Sequence, residues 1–310
     1  ESHEALARKL DEVQKNGIDV VVLPGNHDIN NPSASSYEGS ARRPTEQVTP
    51  GEFAEIYEEF GYGQAWSRDP YSLSYTYDLD PSTRLMMLDS CQYDRGNKVG
   101  GMIKTETYEW IEDQLVESME DDDYRAIATM MLQRREQDFR SIPAAKSVHH
   151  GFVGGLLMHT ANMLEQADFL SRLYGPTINR SLLLAGTLLH DFGKMKEFSF
   201  SELGLVTEYS TEGQLLGHLV IGAEWVAAAA RKLGIPEEKS LLLRHLILSH
   251  HGEPEFGAAV VPVCMESELL HLIDKIDSRV EIYRKAFEEV PVGAFSSRIF
   301  ALEHRVYHHP

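Results

Sequence analysis

The segment LLHDFGKMKEF, from Leu188 to Phe198, decides how the second half of this sequence is interpreted. An apolar run passes directly into the adjacent residues His190 and Asp191, and Lys194 follows three residues later. Imidazole and carboxylate side chains together are typical ligands of divalent transition metals. The pair therefore indicates either a metal site at a helix end or a partly exposed polar helix terminus.

Further candidate ligands lie in other apolar segments of the second half. They are His159, His218, His250, His251 and Asp274. Each is within or at the end of a segment with helical apolar spacing, so we expect the side chains to converge on one interior site. The set exceeds the needs of one tetrahedral metal and suits two ions about 3.5–4 Å apart that share Asp191. We interpret His245 and His271 as hydrogen-bonded core residues.

Composition narrows the functional class. The chain has 310 residues, 42% hydrophobic and 25% charged, which suits two globular domains. No apolar run approaches the roughly 20 residues that span a bilayer, so we expect no membrane partner. Cys91 and Cys264 are far apart and lack metal-type spacing, and we expect no disulfide framework, which suits a cytoplasmic protein. The net charge of −19 argues against a broad nucleic-acid-coating surface, although local cations could still attract a small phosphate-bearing substrate.

The two halves of the chain differ in their predicted structure. Residues 1–120 mix helical patterns with strand patterns such as IDVVVL (Ile18 to Leu23), which predicts an α/β region. After the acidic run from Glu120 to Tyr124, helical patterns dominate. We therefore predict an α+β protein overall, with a partial α/β region at 1–120 and an all-α domain at 121–310.

The ordered ligands resemble a known superfamily. His159, His190 with Asp191, and Asp274 follow the H…HD…D pattern of HD-domain phosphohydrolases. Five blocks further resemble YhaM-type 3′-5′ exoribonucleases over about residues 124–310: IPAAKSVHHGFVGGLLMHT, LLHDFGK, EGQLLGHLVIG, LILSHHGEPEFG and RIFALEHRVYHHP.

This resemblance implies metal-dependent hydrolysis of phosphodiesters, usually with Mn²⁺, that releases nucleoside 5′-monophosphates from a 3′ end. It also implies two metal sites that share Asp191. The first would use His159, His190, Asp191 and Asp274, and the second Asp191, His218 and His250, with His251 as an additional or substitute ligand. Fe, Co, Ni and Zn are alternatives to Mn.

Three further residues of these blocks are candidates for contact with the substrate. We expect Lys194 to be catalytic together with Asp191 and to contact a phosphate oxygen, although a helix-terminal lysine also serves solubility. His149 and His150 lie in a matching block and either contact the substrate or simply precede a helix.

The segment LPGNHDIN, from Leu23 to Asn30, resembles the Gly-Asn-His-Asp block of calcineurin-like metallophosphoesterases. The similarity extends over about residues 1–117 and also includes ESHEALARKL, VTPGEFAEIYEEFGY and LMMLDSCQYD. It implies that Asn26 is a metal ligand and that His27 contacts the phosphate. The Asp-x-His, Gly-Asp-x-x-Asp and Gly-His-x-His motifs of that family do not occur here. We therefore predict a vestigial, inactive region that depends on a homo-oligomer or on a missing phosphoesterase complement.

Three functions remain open. The first is a 3′-5′ exoribonuclease. We expect it to act on short RNA, because YhaM-type proteins usually carry an OB-fold nucleic-acid-binding domain and nothing here resembles one. The second is a phosphodiesterase for a small nucleotide such as a cyclic dinucleotide. The third is a non-catalytic nucleotide-binding module.

Overall fold

The computed structural model describes residues 2–93, 101–143, 154–200 and 206–310. The chain divides into two compact units, Glu1–Trp110 and Ile111–Pro310. This division falls inside helix α3 (Thr105–Glu117), before the boundary predicted at 120/121. Within the first unit, the Trp110 indole donates to Ser67 Oγ over 2.9 Å. Helix α3 continues without a break from Trp110 to Glu117. The acidic run that marks the predicted boundary comes after the end of this helix.

The N-terminal unit consists of short helices and antiparallel strands. Its elements before α3 are α1 (Ser2–Gln14), β1 (Ser35–Glu38), β2 (Ala41–Pro44), α2 (Pro50–Ile56), a π-helical turn (Glu58–Tyr62), β3 (Ser67–Arg68), β4 (Tyr75–Asp80) and β5 (Thr83–Met87). Strands β3, β4 and β5 form one sheet in that order, and β1 and β2 form a separate hairpin. The core is aromatic, with Phe53, Tyr57 and Tyr75 almost fully buried.

Helix α2 begins after Thr49, which forms a capping box with Glu52. The α/β prediction for this region needs correction, because every strand pair among its described residues is antiparallel. The strand predicted at Ile18–Leu23 is also wrong. The N–H of Val22 donates to the Phe60 carbonyl oxygen (3.0 Å), and its carbonyl accepts from the Tyr75 hydroxyl (2.9 Å). These groups are satisfied without a neighbouring strand.

The C-terminal unit is helical, as predicted, with one small hairpin in addition. Its elements after α3 are α4 (Asp122–Ser141), α5 (Gly155–Tyr174), α6 (Arg180–Leu189), α7 (Lys194–Glu197), β6 (Phe198–Phe200), β7 (Val206–Tyr209), α8 (Thr211–Leu233), α9 (Glu237–Ser249) and α10 (Met265–Glu289). Within the described residues, single-turn 3₁₀ helices lie at Gly175–Thr177, Pro254–Phe256 and Phe300–Leu302. None of the helices in the described parts is long and apolar enough to cross a membrane.

Helix α6 forms the centre of this unit. Every residue from Ser181 to Leu189 is buried, because the helix packs against α4, α5, α9 and α10. A helix that is apolar on all sides has to be covered in this way. Its first turn is capped by Asn179, whose side chain accepts from the N–H of Leu182 over 3.0 Å. The sequence thus places the polar segment that follows Leu189 inside the protein.

Two glycines shape the chain around this segment. Gly217 has a φ of +70°, a conformation that favours glycine, and it kinks α8 immediately before His218. Gly193 lies so close to the same turn that a Cβ atom would stand 2.1 Å from the carbonyl oxygen of His218. The backbone of α8 can therefore approach the loop after α6 directly.

A third glycine allows α6 to pack closely against α9, which generates a prediction about stability. A Cβ atom on Gly186 would lie 2.3 Å from Leu246 Cδ2, so Gly186→Ala overpacks the interface. We expect the variant to lower the free energy of unfolding by about 1–3 kcal/mol in urea denaturation.

The matched control is Gly222→Ala, also within a helix that packs against α9. There the added Cβ would meet its nearest neighbour, Ile247 Cγ2, at 3.4 Å, an ordinary contact. This variant should be neutral or up to about 1 kcal/mol more stable, since alanine favours the helix. Equal losses in the two variants would contradict the proposed close approach of α6 and α9.

Candidate metal centre

His190 and Asp191 lie at the C-terminal end of the buried helix α6. His190 is its C-cap residue and has no solvent exposure, and Asp191 is 3% exposed. The Nδ1 atom of His190 lies 2.7 Å from the carbonyl oxygen of Thr187. A carbonyl oxygen only accepts hydrogen bonds, so Nδ1 carries the proton and Nε2 presents a lone pair. The metal-ligand atom of this histidine therefore points away from its own helix.

A first group of potential ligands forms around this lone pair. His159 on α5, His190 and Asp191 each offer a ligand atom, and these atoms lie within 4.8 Å of one another. Asp274 on α10 joins the group through its Oδ1 atom, 3.4 Å from His159 Nε2. The three members supplied by α5 and the end of α6 are fully or almost fully buried.

A second group lies on the other side of Asp191. It consists of His218 after the kink of α8 and of His250 and His251 at the end of α9, again with ligand atoms within 4.8 Å. His250 Nδ1 donates to the carbonyl oxygen of Ile247 over 2.8 Å, so its Nε2 is also left with a lone pair.

The carboxylate of Asp191 lies between the two groups. Its Oδ1 atom is 3.5 Å from His218 Nε2 and 3.7 Å from His250 Nε2. Its Oδ2 atom is 3.3 Å from His190 Nε2 and 2.6 Å from Lys194 Nζ. One carboxylate therefore faces both groups, with a buried ammonium at its second oxygen.

Two carboxylates that were not among the candidates from the sequence contact the Nδ1 atoms of two histidines. Asp277 Oδ2 lies 2.6 Å from His159 Nδ1, and Glu197 Oε1 lies 3.0 Å from His218 Nδ1. Glu197 also accepts from the backbone N–H of His218 over 3.0 Å. Asp277 follows Asp274 by one helical turn, and this spacing was the available signal for it.

The electrostatics of the cluster favour ionised carboxylates. Burial opposes ionisation of Asp191, but Lys194 and His190 hold its pKa well below the usual range. Burial also opposes protonation of His159, but hydrogen bonds to Asp274 and Asp277 outweigh it and raise the pKa to about 9. Burial lowers the pKa of His251 to about 4, with a further contribution from His218, so this imidazole is neutral at pH 7.

The residues present fit a divalent metal. Among the described residues, His190 Nε2, His218 Nε2 and Asp191 Oδ1 are buried and make no hydrogen bond. Buried polar atoms without partners are costly, and coordination to a cation would satisfy all three. The negative ends of two helix dipoles, at the C-termini of α6 and α9, also point to this place. The cluster therefore fits divalent metal binding.

The remaining sequence predictions divide into three cases. His245 accepts from the N–H of Val263 (3.2 Å), and His271 donates to the carbonyl oxygen of His250 (2.9 Å), so both make the expected hydrogen bonds. Asn26 is half-buried and His27 exposed, and no metal-binding group found in the described residues includes His27. His149 and His150 lie outside the described residues.

Comparison with known proteins shows which family model this part of the chain is similar to. Residues 156–279 match the family model described as the HD domain. This match lies within the C-terminal unit. All the ligand candidates of the two groups, and also Glu197 and Asp277, lie within the matched residues. The residues that match the HD domain therefore include the whole candidate centre.

Similar curated proteins carry the name 3′-5′ exoribonuclease YhaM. The protein from Shouchella clausii is 44% identical over 184 residues, which are 59% of this chain and 56% of the relative. The protein from Bacillus subtilis is 40% identical over 197 residues, covering 64% of this chain and 62% of the relative. That from a Geobacillus species is 42% identical over 194 residues, covering 62% and 58%. The chain thus spans about three fifths of the length of these relatives.

The raised pKa of His159 predicts how the stability of the metal-free protein depends on pH. A histidine whose pKa rises from 6.5 to about 9 on folding contributes stability that is fully present below pH 6.5 and is lost as the pH rises through 9. With a chelator present, the free energy of unfolding from urea titrations should fall by on the order of 1–3 kcal/mol across this range.

Asp277→Asn removes one of the two charges that raise this pKa, and it keeps an oxygen that can accept the hydrogen bond. The variant should therefore show a smaller loss over the same pH range. An equal loss in the parent and the variant would show that another group titrates.

Proposed function

We propose that the HD domain is a metal-dependent phosphodiesterase that removes nucleotides from the 3′ end of short RNA. The observation that carries this proposal is the buried cluster around Asp191, in which three potential metal-ligand atoms make no hydrogen bond. The names of the similar proteins support the direction of cleavage and the class of substrate.

The two groups of ligands support a pair of ions that share Asp191. We assign His159, His190, Asp191 and Asp274 to the first ion. We assign Asp191, His218 and His250 to the second, with His251 as an additional ligand. Mn²⁺ is the metal we propose, and Fe, Co, Ni and Zn accept the same imidazole and carboxylate ligands.

When bound, such ions supply Lewis acidity toward the phosphodiester and acidify the attacking water. The protein contributes positioning and charge. Asp191 is held by Lys194 at one oxygen and presents the other to His218 and His250, so its orientation is set before substrate arrives. Lys194 carries the positive charge closest to this carboxylate among the described residues, and we propose that it also contacts a phosphate oxygen.

The length of the substrate follows from charge. A net charge of −19 disfavours long polyanions, because every additional phosphate near an acidic surface is repelled. The same charge favours a second candidate function, the hydrolysis of a small nucleotide such as a cyclic dinucleotide. Turnover of dinucleotides, short oligoribonucleotides and oligomers above about 20 nucleotides separates the two candidates.

The activity itself is tested with a 5′-labelled oligoribonucleotide and added Mn²⁺. We expect products that shorten from the 3′ end and nucleoside 5′-monophosphates as the released species. Asp191→Ala should reduce the rate by on the order of 10³-fold or more, because it removes the ligand that both ions share.

The matched control is the double variant Asn26→Ala/His27→Ala in the N-terminal unit. We propose that the phosphoesterase-like motif there is vestigial, so this variant should keep the parent rate within about twofold. Full activity in Asp191→Ala would overturn the assignment of the centre. A large loss in the control would instead place catalysis in the N-terminal unit.

A further inference from the structure

The histidines of the candidate centre differ in what holds their second ring nitrogen. His190 and His250 donate from Nδ1 to the backbone carbonyl oxygens of Thr187 and Ile247. His159 and His218 instead have a carboxylate at Nδ1, Asp277 at 2.6 Å and Glu197 at 3.0 Å. Each of the two ligand groups thus contains one histidine held by a carbonyl and one held by a carboxylate.

We propose that Asp277 and Glu197 are positioning residues that each tune a different metal ion. Asp277 acts through His159 on the first ion, and Glu197 acts through His218 on the second. This inference rests on the pair of ions in the proposed function. It adds that the two ions have separate carboxylates behind their ligands, so the affinity for each can be changed alone.

The physical reason is the charge of the hydrogen-bond acceptor. A carboxylate that accepts from Nδ1–H fixes the ring tautomer and increases the electron density at Nε2, the atom that faces the metal. A backbone carbonyl fixes the same tautomer but carries no full charge. The carboxylate-held histidine of each group is therefore the ligand whose strength depends most on its partner.

Both carboxylates are themselves oriented by neighbouring groups. Asp277 Oδ1 accepts from the side-chain amide of Asn162 over 3.1 Å, which leaves Oδ2 for His159. Glu197 Oε1 accepts from both the backbone N–H and the ring of His218, immediately after the kink at Gly217. These contacts orient each carboxylate oxygen toward the Nδ1 atom of its imidazole, as a ligand-supporting role requires.

The experiment measures metal binding by the full chain after a chelator has removed bound metal. Equilibrium dialysis against Mn²⁺ gives two dissociation constants, and electron paramagnetic resonance distinguishes a coupled ion pair from a single ion. The parent should bind two ions. Asp277→Asn and Glu197→Gln should each weaken one ion by about 10- to 100-fold and show a single-ion spectrum at limiting Mn²⁺.

The double variant decides whether the two carboxylates act on different ions. If they do, Asp277→Asn/Glu197→Gln binds neither ion tightly. If both act on one ion, the double variant still holds one ion with parent affinity, and the proposal is overturned.

The matched control is Glu266→Gln, a buried carboxylate on the same helix as Asp277 that accepts from the N–H of Asn179 over 2.7 Å. It should keep both parent affinities, and a loss there would show that removal of any buried charge from α10 has the same effect. If Asp277→Asn fails to fold, Asn162→Ala tests the same ion, with an expected loss of about threefold.

The outcomes separate this proposal from the proposed function. Parent affinities in the single variants would overturn the tuning role even if the parent cleaves RNA. A parent that binds two ions, responds to both variants as expected and leaves RNA intact would support the tuning role and remove the ribonuclease function. A parent that binds fewer than two ions would overturn the tuning role, while cleavage of the oligoribonucleotide would still decide the proposed function.

Discussion

The structure of the C-terminal unit depends on negative charge held away from water. Four carboxylates contact the histidine cluster, and Lys194 supplies one ammonium beside them. The carboxylates belong to Asp191, Asp274, Asp277 and Glu197. Burial of an uncompensated charge costs free energy, because the group loses its solvation by water. The buried residues of α6 leave little room for such solvation. Positive charge compensates these carboxylates, either as a proton on His159, whose pKa the hydrogen bonds to Asp274 and Asp277 raise, or as cations.

The ends of two helices explain why this place would favour a cation. His190 and His250 are the C-cap residues of α6 and α9, and each donates to a carbonyl three residues earlier. These bonds satisfy carbonyls that a helix end leaves without partners, and they turn each lone pair inward. The same two helix ends carry partial negative charge. Local helix chemistry therefore orients the ligands and favours a positive ion between them.

The parts that could be predicted from the sequence are those where one residue type has few alternative uses. Histidines at the ends of apolar helices, such as His190 and His250, are visible as interruptions of an apolar pattern. Glu197 was not predictable in this way, because a carboxylate among charged helix residues is equally typical of a solvated face, and for Asp277 the one signal was its spacing of one helical turn from Asp274. The strand predicted at Ile18–Leu23 failed for another reason. An apolar run predicts burial, but a strand also needs a neighbouring strand to bond its backbone. Here the backbone of Val22 bonds to the Phe60 carbonyl oxygen and the Tyr75 hydroxyl instead.

The balance of charge also explains how an acidic protein would bind an anionic substrate. Without metal, the carboxylates around Asp191 outnumber the nearby ammonium and repel a phosphodiester. Two divalent ions would reverse the sign of this small region while the net charge of the whole chain stayed strongly negative. Attraction would then act over roughly one Debye length, about 8 Å at physiological salt, and the remaining surface would repel phosphates further along the strand. Under the proposed function, such a centre would favour the terminal nucleotides of a short chain over the interior of a long one.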